Sequence, residues 1–100
     1  MSKYRNIKTN GYDSKKESIR ARELSLLEKA GVISYLQEQV KFELVPKQDK
    51  ERSVVYVADF VYREGDKAIV EDVKGIKTQV YIIKRKLFKL RYPNYIFRES

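Results

Sequence analysis

Apolar residues recur along this chain with two different periods, and the changes of period mark out its elements. Between Ser14 and Ala30, Leu24, Leu27 and Ala30, with Ala21, Ile19 and Leu26 further round, fall on one broad side of a helix. Ser14 and Glu17 form the S-x-x-E capping pattern, and Gly31 is a stop signal. Glu17 sits at the rim of the apolar face. Glu23 falls nearer its middle, where a glutamate calls for an Arg or Lys partner. From residue 32 to 45 the period becomes two: Val40, Phe42 and Leu44 alternate with Gln39, Lys41 and Glu43, predicting a strand, bent or straight, that Pro46 closes. A charged loop over Lys47 to Arg52 leads to two more strands, 54–62 and 67–74, with Gly75 ending the second. The helical period returns over 77–91, with Val80, Ile83, Leu87 and Leu90 as the expected buried stripe. Pro93 stops that helix, and Tyr95-Ile96-Phe97 reads as a short last strand.

The order is therefore helix, three strands, helix, strand. It predicts one α/β or α+β layered domain over residues 1–100, with a mixed sheet flanked by helices. Residues 1–12 are basic, contain Asn10-Gly11 and show little period. They read either as a flexible arm that touches a phosphate backbone or as a frayed terminus.

Two of the strands carry carboxylates, which strands usually avoid. Val57-Ala58-Asp59-Phe60 lies in one, and Glu71-Asp72-Val73-Lys74-Gly75 in the next. Gly65-Asp66 suits a two-residue hairpin turn with glycine at its first central position. A turn centred there pairs Asp59 with Asp72. Like charges directly opposite are destabilising, and a divalent cation between them is one remedy. Alternation puts Lys74 on the same face as Asp72, and Glu71 on the other. An exposed sheet face held by a salt bridge accounts for the same three residues.

The composition narrows the chemistry. The chain contains neither cysteine nor histidine. Disulfides, thiolate sites, Ser-His-Asp and Cys-His catalysis and most zinc sites are thereby excluded. Any metal must be held by oxygen, which favours magnesium, manganese or calcium. Lys and Arg number 22 against 14 acidic residues, a net charge of +8, which points to a polyanionic partner, with nucleic acid preferred over anionic lipid. No apolar run reaches membrane-spanning length and the start lacks a signal-peptide pattern, so a soluble, cytosolic protein is expected.

The order of elements, with a strand aspartate followed by D-x-K on the next strand, resembles the PD-(D/E)XK nuclease superfamily, which includes restriction endonucleases, Holliday-junction resolvases and the very-short-patch repair endonuclease. The likeness runs from about Ser14 to Phe97. More narrowly, Asp13-Ser14-Lys15-Lys16-Glu17, Tyr56-Val57-Ala58-Asp59-Phe60 and Val70-Glu71-Asp72-Val73-Lys74-Gly75 look like a small family found in phages and prophages of Gram-positive bacteria. The resemblance implies a restriction-endonuclease-like core in a phage- or prophage-encoded protein of the bacterial cytoplasm. It also implies a Mg2+- or Mn2+-dependent endonuclease, directed at branched or junction DNA. Asp59 and Asp72 match the acidic motif residues and Lys74 the motif lysine. Glu17 matches the first-helix glutamate, a further or water-mediated ligand. Ala58 stands where the name-giving proline would be, a position that varies across the superfamily.

In that scheme the metal polarises the scissile phosphate and activates a water, and Lys74 acts either as base or as charge stabiliser. Lys77, Thr78, Tyr81, Lys84 and Arg85, at the start of the second helix, would contact phosphates. The short chain leaves little room for a recognition domain, which favours structure-directed cutting or a targeting protein partner, and a homodimer would place two sites on two strands. Two other readings fit the composition. One is a non-catalytic nucleic-acid binder that uses its charge and 8 tyrosines. The other is an interaction module for an acidic protein.

Overall fold

Ser14 begins the first helix. Its hydroxyl accepts the Glu17 backbone N–H at 3.0 Å and caps α1, Lys15–Lys29. In this computed structural model, which describes residues 14–100, α1 is followed by β1 (Ser34–Val45), β2 (Val54–Glu64), β3 (Lys67–Asp72), α2 (Gln79–Arg91) and β4 (Tyr95–Glu99). The arm expected over 1–12 lies outside the described residues. The fold is α+β, with two helices and one mixed sheet, in the element order read from the sequence.

The sheet order is β1-β2-β3-β4. The first two pairings are antiparallel and β3–β4 is parallel, the return across α2 making that last pairing possible. The β2–β3 turn forms where expected. Gly65 adopts φ 65°, and Glu64 pairs with Lys67 to close the hairpin.

The helices cover opposite faces, since neighbouring β3 residues Ile69 and Val70 join different core clusters. Ala21 and Leu24 of α1 pack with Ile33, Phe60, Tyr62, Ile69 and Val73. Tyr81 and Phe88 of α2 pack with Phe42, Leu44, Tyr56, Ala58 and Val70. The strands β1 and β2 serve both clusters. Phe42 and Leu44, with Tyr56 and Ala58, face α2. Leu36, with Phe60 and Tyr62, faces α1. Residues of one parity thus appear on both faces, so each strand changes face midway.

Two sequence expectations fail in the helices. The stripe Val80, Ile83, Leu90 was expected inside, but these residues are 62%, 55% and 74% exposed. Tyr81 and Phe88 take the buried side, because Phe88 meets the rings of Phe42 at 5.0 Å, Tyr56 at 5.4 Å and Tyr92 at 5.3 Å. In α1, Ile19 and Leu26 are exposed, and Glu17 and Ser18 are buried instead. Glu23 is exposed as well, yet it has the expected cationic partner, with Arg20 Nη1 3.1 Å from its Oε1.

Candidate active site

The hairpin register carries Asp59 opposite Asp72, one step beyond the laddered pair Phe60–Glu71. Both are buried. Each is tied to the other strand's backbone or side chains. Asp72 Oδ1 lies 3.4 Å from the Asp59 backbone N–H, and Asp59 Oδ2 accepts the Val73 N–H at 2.8 Å. Tyr56 donates its hydroxyl to Asp72 Oδ2 at 2.7 Å. Burial, first, and then the hydrogen-bonded Asp59 carboxyl push Asp72 up to about 7, against the opposing pull of Tyr56 and Lys74. The Tyr56 hydroxyl is itself raised by burial and by Asp72.

Lys74 lies just past the end of β3, where its backbone N–H still reaches Ser100 O at 3.3 Å. Its Nζ is 3.9 Å from Asp72 Oδ2 and 4.9 Å from the centre of the Tyr81 ring. The ring face attracts the ammonium and the carboxylate fixes its other side. Asp59, Asp72 and Lys74 are therefore brought together as the hairpin predicts.

Glu17 approaches the group through an intermediary. Gln39 Nε2 donates to Glu17 Oε2 at 3.0 Å and lies 3.4 Å from Asp59 Oδ1. Strand alternation marked Gln39 only as an outward polar residue. Nothing in the pattern signals that its backbone turns to φ 55°.

Glu71 occupies the opposite face and is fully committed there. Arg20 donates to both its oxygens, at 2.5 and 3.0 Å, Tyr62 OH at 2.6 Å and Ser100 Oγ at 2.7 Å. Burial raises its pKa, but these donors outweigh burial and hold it below the usual carboxylate range.

Beside Lys74 an open cleft of about 260 Å³ is lined by Tyr56, Val57, Thr78, Val80, Tyr81 and Lys84. Three of the residues expected to contact phosphate thus border the site. Thr78 also caps α2, its hydroxyl accepting the Tyr81 N–H at 3.1 Å. Lys77 and Arg85 are turned to Glu99, at 3.3 and 2.8 Å, and Tyr81 OH donates to the same carboxylate at 2.5 Å. The Tyr81 bond, opposed by burial and joined by Arg85 and Lys77, holds Glu99 at about 2. Sequence reading missed Glu99 as the anchor of these groups.

Among the described residues no cluster of three or more acidic, histidine or cysteine side chains is placed to hold a metal ion. The donor set still fits a hard divalent cation. Two carboxyls share a buried space and disfavour their joint ionisation. A carboxylate oxygen has more than one lone pair, so accepting a hydrogen bond does not by itself bar it from coordinating an ion. Magnesium is commonly held by one or two carboxylates, with substrate phosphate and water completing its shell. Among the described residues, no helix is long and apolar enough to cross a membrane.

No curated protein and no solved structure matches the chain. Residues 1–98, nearly its whole length, match the family described as "Protein of unknown function (DUF1064)", and the chain belongs to that family.

Proposed function

We propose that this chain is a Mg2+- or Mn2+-dependent endonuclease that hydrolyses phosphodiester bonds in DNA, with branched or junction DNA as its preferred substrate. The observation that carries the reading is the buried Asp59–Asp72 pair with Lys74 Nζ 3.9 Å from it. A salt-bridged sheet face would be exposed, whereas here both carboxyls are buried beside a half-exposed ammonium. Asp59 and Asp72 would hold the ion. A bound divalent cation supplies Lewis-acid polarisation of the phosphate and activation of a water. The Val73 N–H and the Tyr56 hydroxyl orient the two carboxyls. Lys74, steered by the Tyr81 ring, stabilises negative charge developing on the phosphate. The cleft at Thr78, Tyr81 and Lys84 receives the backbone next to the scissile bond.

The test is cleavage of labelled single-stranded, duplex, flap and four-way-junction DNA, with Mg2+, Mn2+ or EDTA. Wild type is compared with Asp59→Ala, Asp72→Ala and Lys74→Ala, each checked for folding by circular dichroism. Cutting that requires metal and is lost in all three variants is the expected result. A variant with full activity removes its residue from the mechanism. Wild type that binds DNA but cuts none of the panel makes the protein a non-catalytic binder instead.

A further inference from the structure

One residue pair is out of step with the sheet around it. Glu38 pairs with Phe60, and Val40 with Ala58, in a single register, while the ladder skips Gln39 and Asp59 between them. Gln39 adopts φ 55°, the left-handed region that side-chain-bearing residues rarely enter. The face change falls at the same place. Ala58 and Phe60, which an unbroken strand would put on one face, belong to the α2 and α1 clusters respectively. On β1, Leu36 and Val40 divide the same way. The slip is matched on both strands, so one register holds from Gln37 to Glu43, and the ladder shifts only outside that stretch, between Ser34 and Gln37 and between Glu43 and Val45.

Strain of this kind persists where surrounding contacts over-determine it, and it concentrates at functional sites. Tyr35 and Lys50 also take positive φ, but of the three it is Gln39 whose amide spans α1 and β2, reaching Glu17 at 3.0 Å and Asp59 at 3.4 Å. The choice of side chain is informative. A lysine or arginine at this point would discharge the two carboxylates and compete with a cation. A glutamate would add a third like charge. An amide links them as a neutral donor and leaves their charge in place.

We propose that Gln39 is a positioning residue for hydrolysis: its amide fixes Glu17 and Asp59 relative to each other, so that Asp59 is set beside Asp72 and Lys74. This rests on the nuclease reading of those three residues. Gln39 acts through Asp59 and Glu17 and need not touch the substrate.

Two substitutions separate the amide from the backbone. Gln39→Leu removes the amide and keeps the strained backbone. Gln39→Gly removes the amide but accepts φ 55° freely, so it should melt above Gln39→Leu. Both should nevertheless lose function alike. Mn2+ affinity of the DNA-free protein, read by electron paramagnetic resonance titration, should fall roughly 10- to 100-fold, the usual cost of losing a group that orients a ligand. The kcat for DNA cleavage should fall over the same range, with KM for DNA little changed.

The proposal is overturned if either variant keeps wild-type Mn2+ affinity and kcat. It is also overturned if function tracks melting temperature, with glycine restoring what leucine loses, because the contribution would then be structural. Wild-type protein that neither binds Mn2+ nor cuts DNA overturns the nuclease reading and this inference with it. That outcome is distinct from active wild type with active Gln39 variants, which overturns the inference alone.

Discussion

Glu71 and Asp72 are adjacent on one strand, equally buried, and opposite in condition. Glu71 accepts from Arg20, Tyr62 and Ser100 and is held ionised. Asp72 faces another carboxyl and is pushed up to about 7. The consequences for stability differ in sign. Between pH 4 and 7 the folded protein retains a proton on Asp72 that the unfolded chain has released. Stability from this group therefore declines as pH rises through that window and is flat above it. Asp72→Asn removes the penalty and still accepts from Tyr56. Relative to wild type it should gain about 1–3 kcal/mol at pH 8 and much less at pH 5, as read from urea midpoints. An equal gain at both pH values would place the Asp72 pKa near the ordinary one. Glu71→Ala leaves Arg20 paired with Glu23 but takes the acceptor from the buried Tyr62 hydroxyl, and should cost about 1–3 kcal/mol at neutral pH. Loss of activity in Glu71→Ala would therefore accompany a loss of stability, whereas Asp72→Asn would lose activity in a folded protein.

The element scale shows which signals in the sequence were legible. Caps and turns were, because they rest on chemistry within a few residues: Ser14 caps α1, and the hairpin turns at Gly65 and so sets Asp59 against Asp72. Beyond the turn, alternation placed Lys74 with Asp72 and Glu71 away from both. The buried face of α2 was misjudged, because the helix carries two apolar stripes and periodicity cannot rank them. Val80, Ile83, Leu87 and Leu90 form the more regular one. Tyr81 and Phe88 bury more surface, and they meet a ring cluster assembled from Phe42, Tyr56, Tyr92, Tyr95 and Phe97, far apart in the chain. Gln39 was hidden for a similar reason. Its backbone conformation depends on both strands slipping together, a tertiary event with no local signature. The two stripes of α2 should respond unequally to truncation. Phe88→Ala should cost about 3–5 kcal/mol, and Leu90→Ala no more than about 0.5 kcal/mol, in denaturant unfolding. Comparable losses would mean that the aliphatic stripe is covered in solution.

At the scale of the whole molecule, the net charge of +8 and the acidic site pull in different directions. A polyanion is attracted overall but repelled at Asp59 and Asp72 unless a cation offsets them. Glu99 modulates this balance beside the cleft, where it holds Lys77, Arg85 and the Tyr81 hydroxyl. In the free protein those two cations are therefore paired with Glu99, although Lys77 stays half-exposed. Glu99→Gln keeps a side chain of the same size, and its amide oxygen still accepts from Tyr81. It removes the charge that binds Lys77 and Arg85. If these residues contact DNA, the variant should bind it more tightly at low salt. Each further phosphate contact should steepen the dependence of log affinity on log salt by about 1. Fluorescence anisotropy across a salt series, in EDTA to suppress cleavage, measures both quantities. An unchanged slope would show that Lys77 and Arg85 serve to anchor β4 to α2.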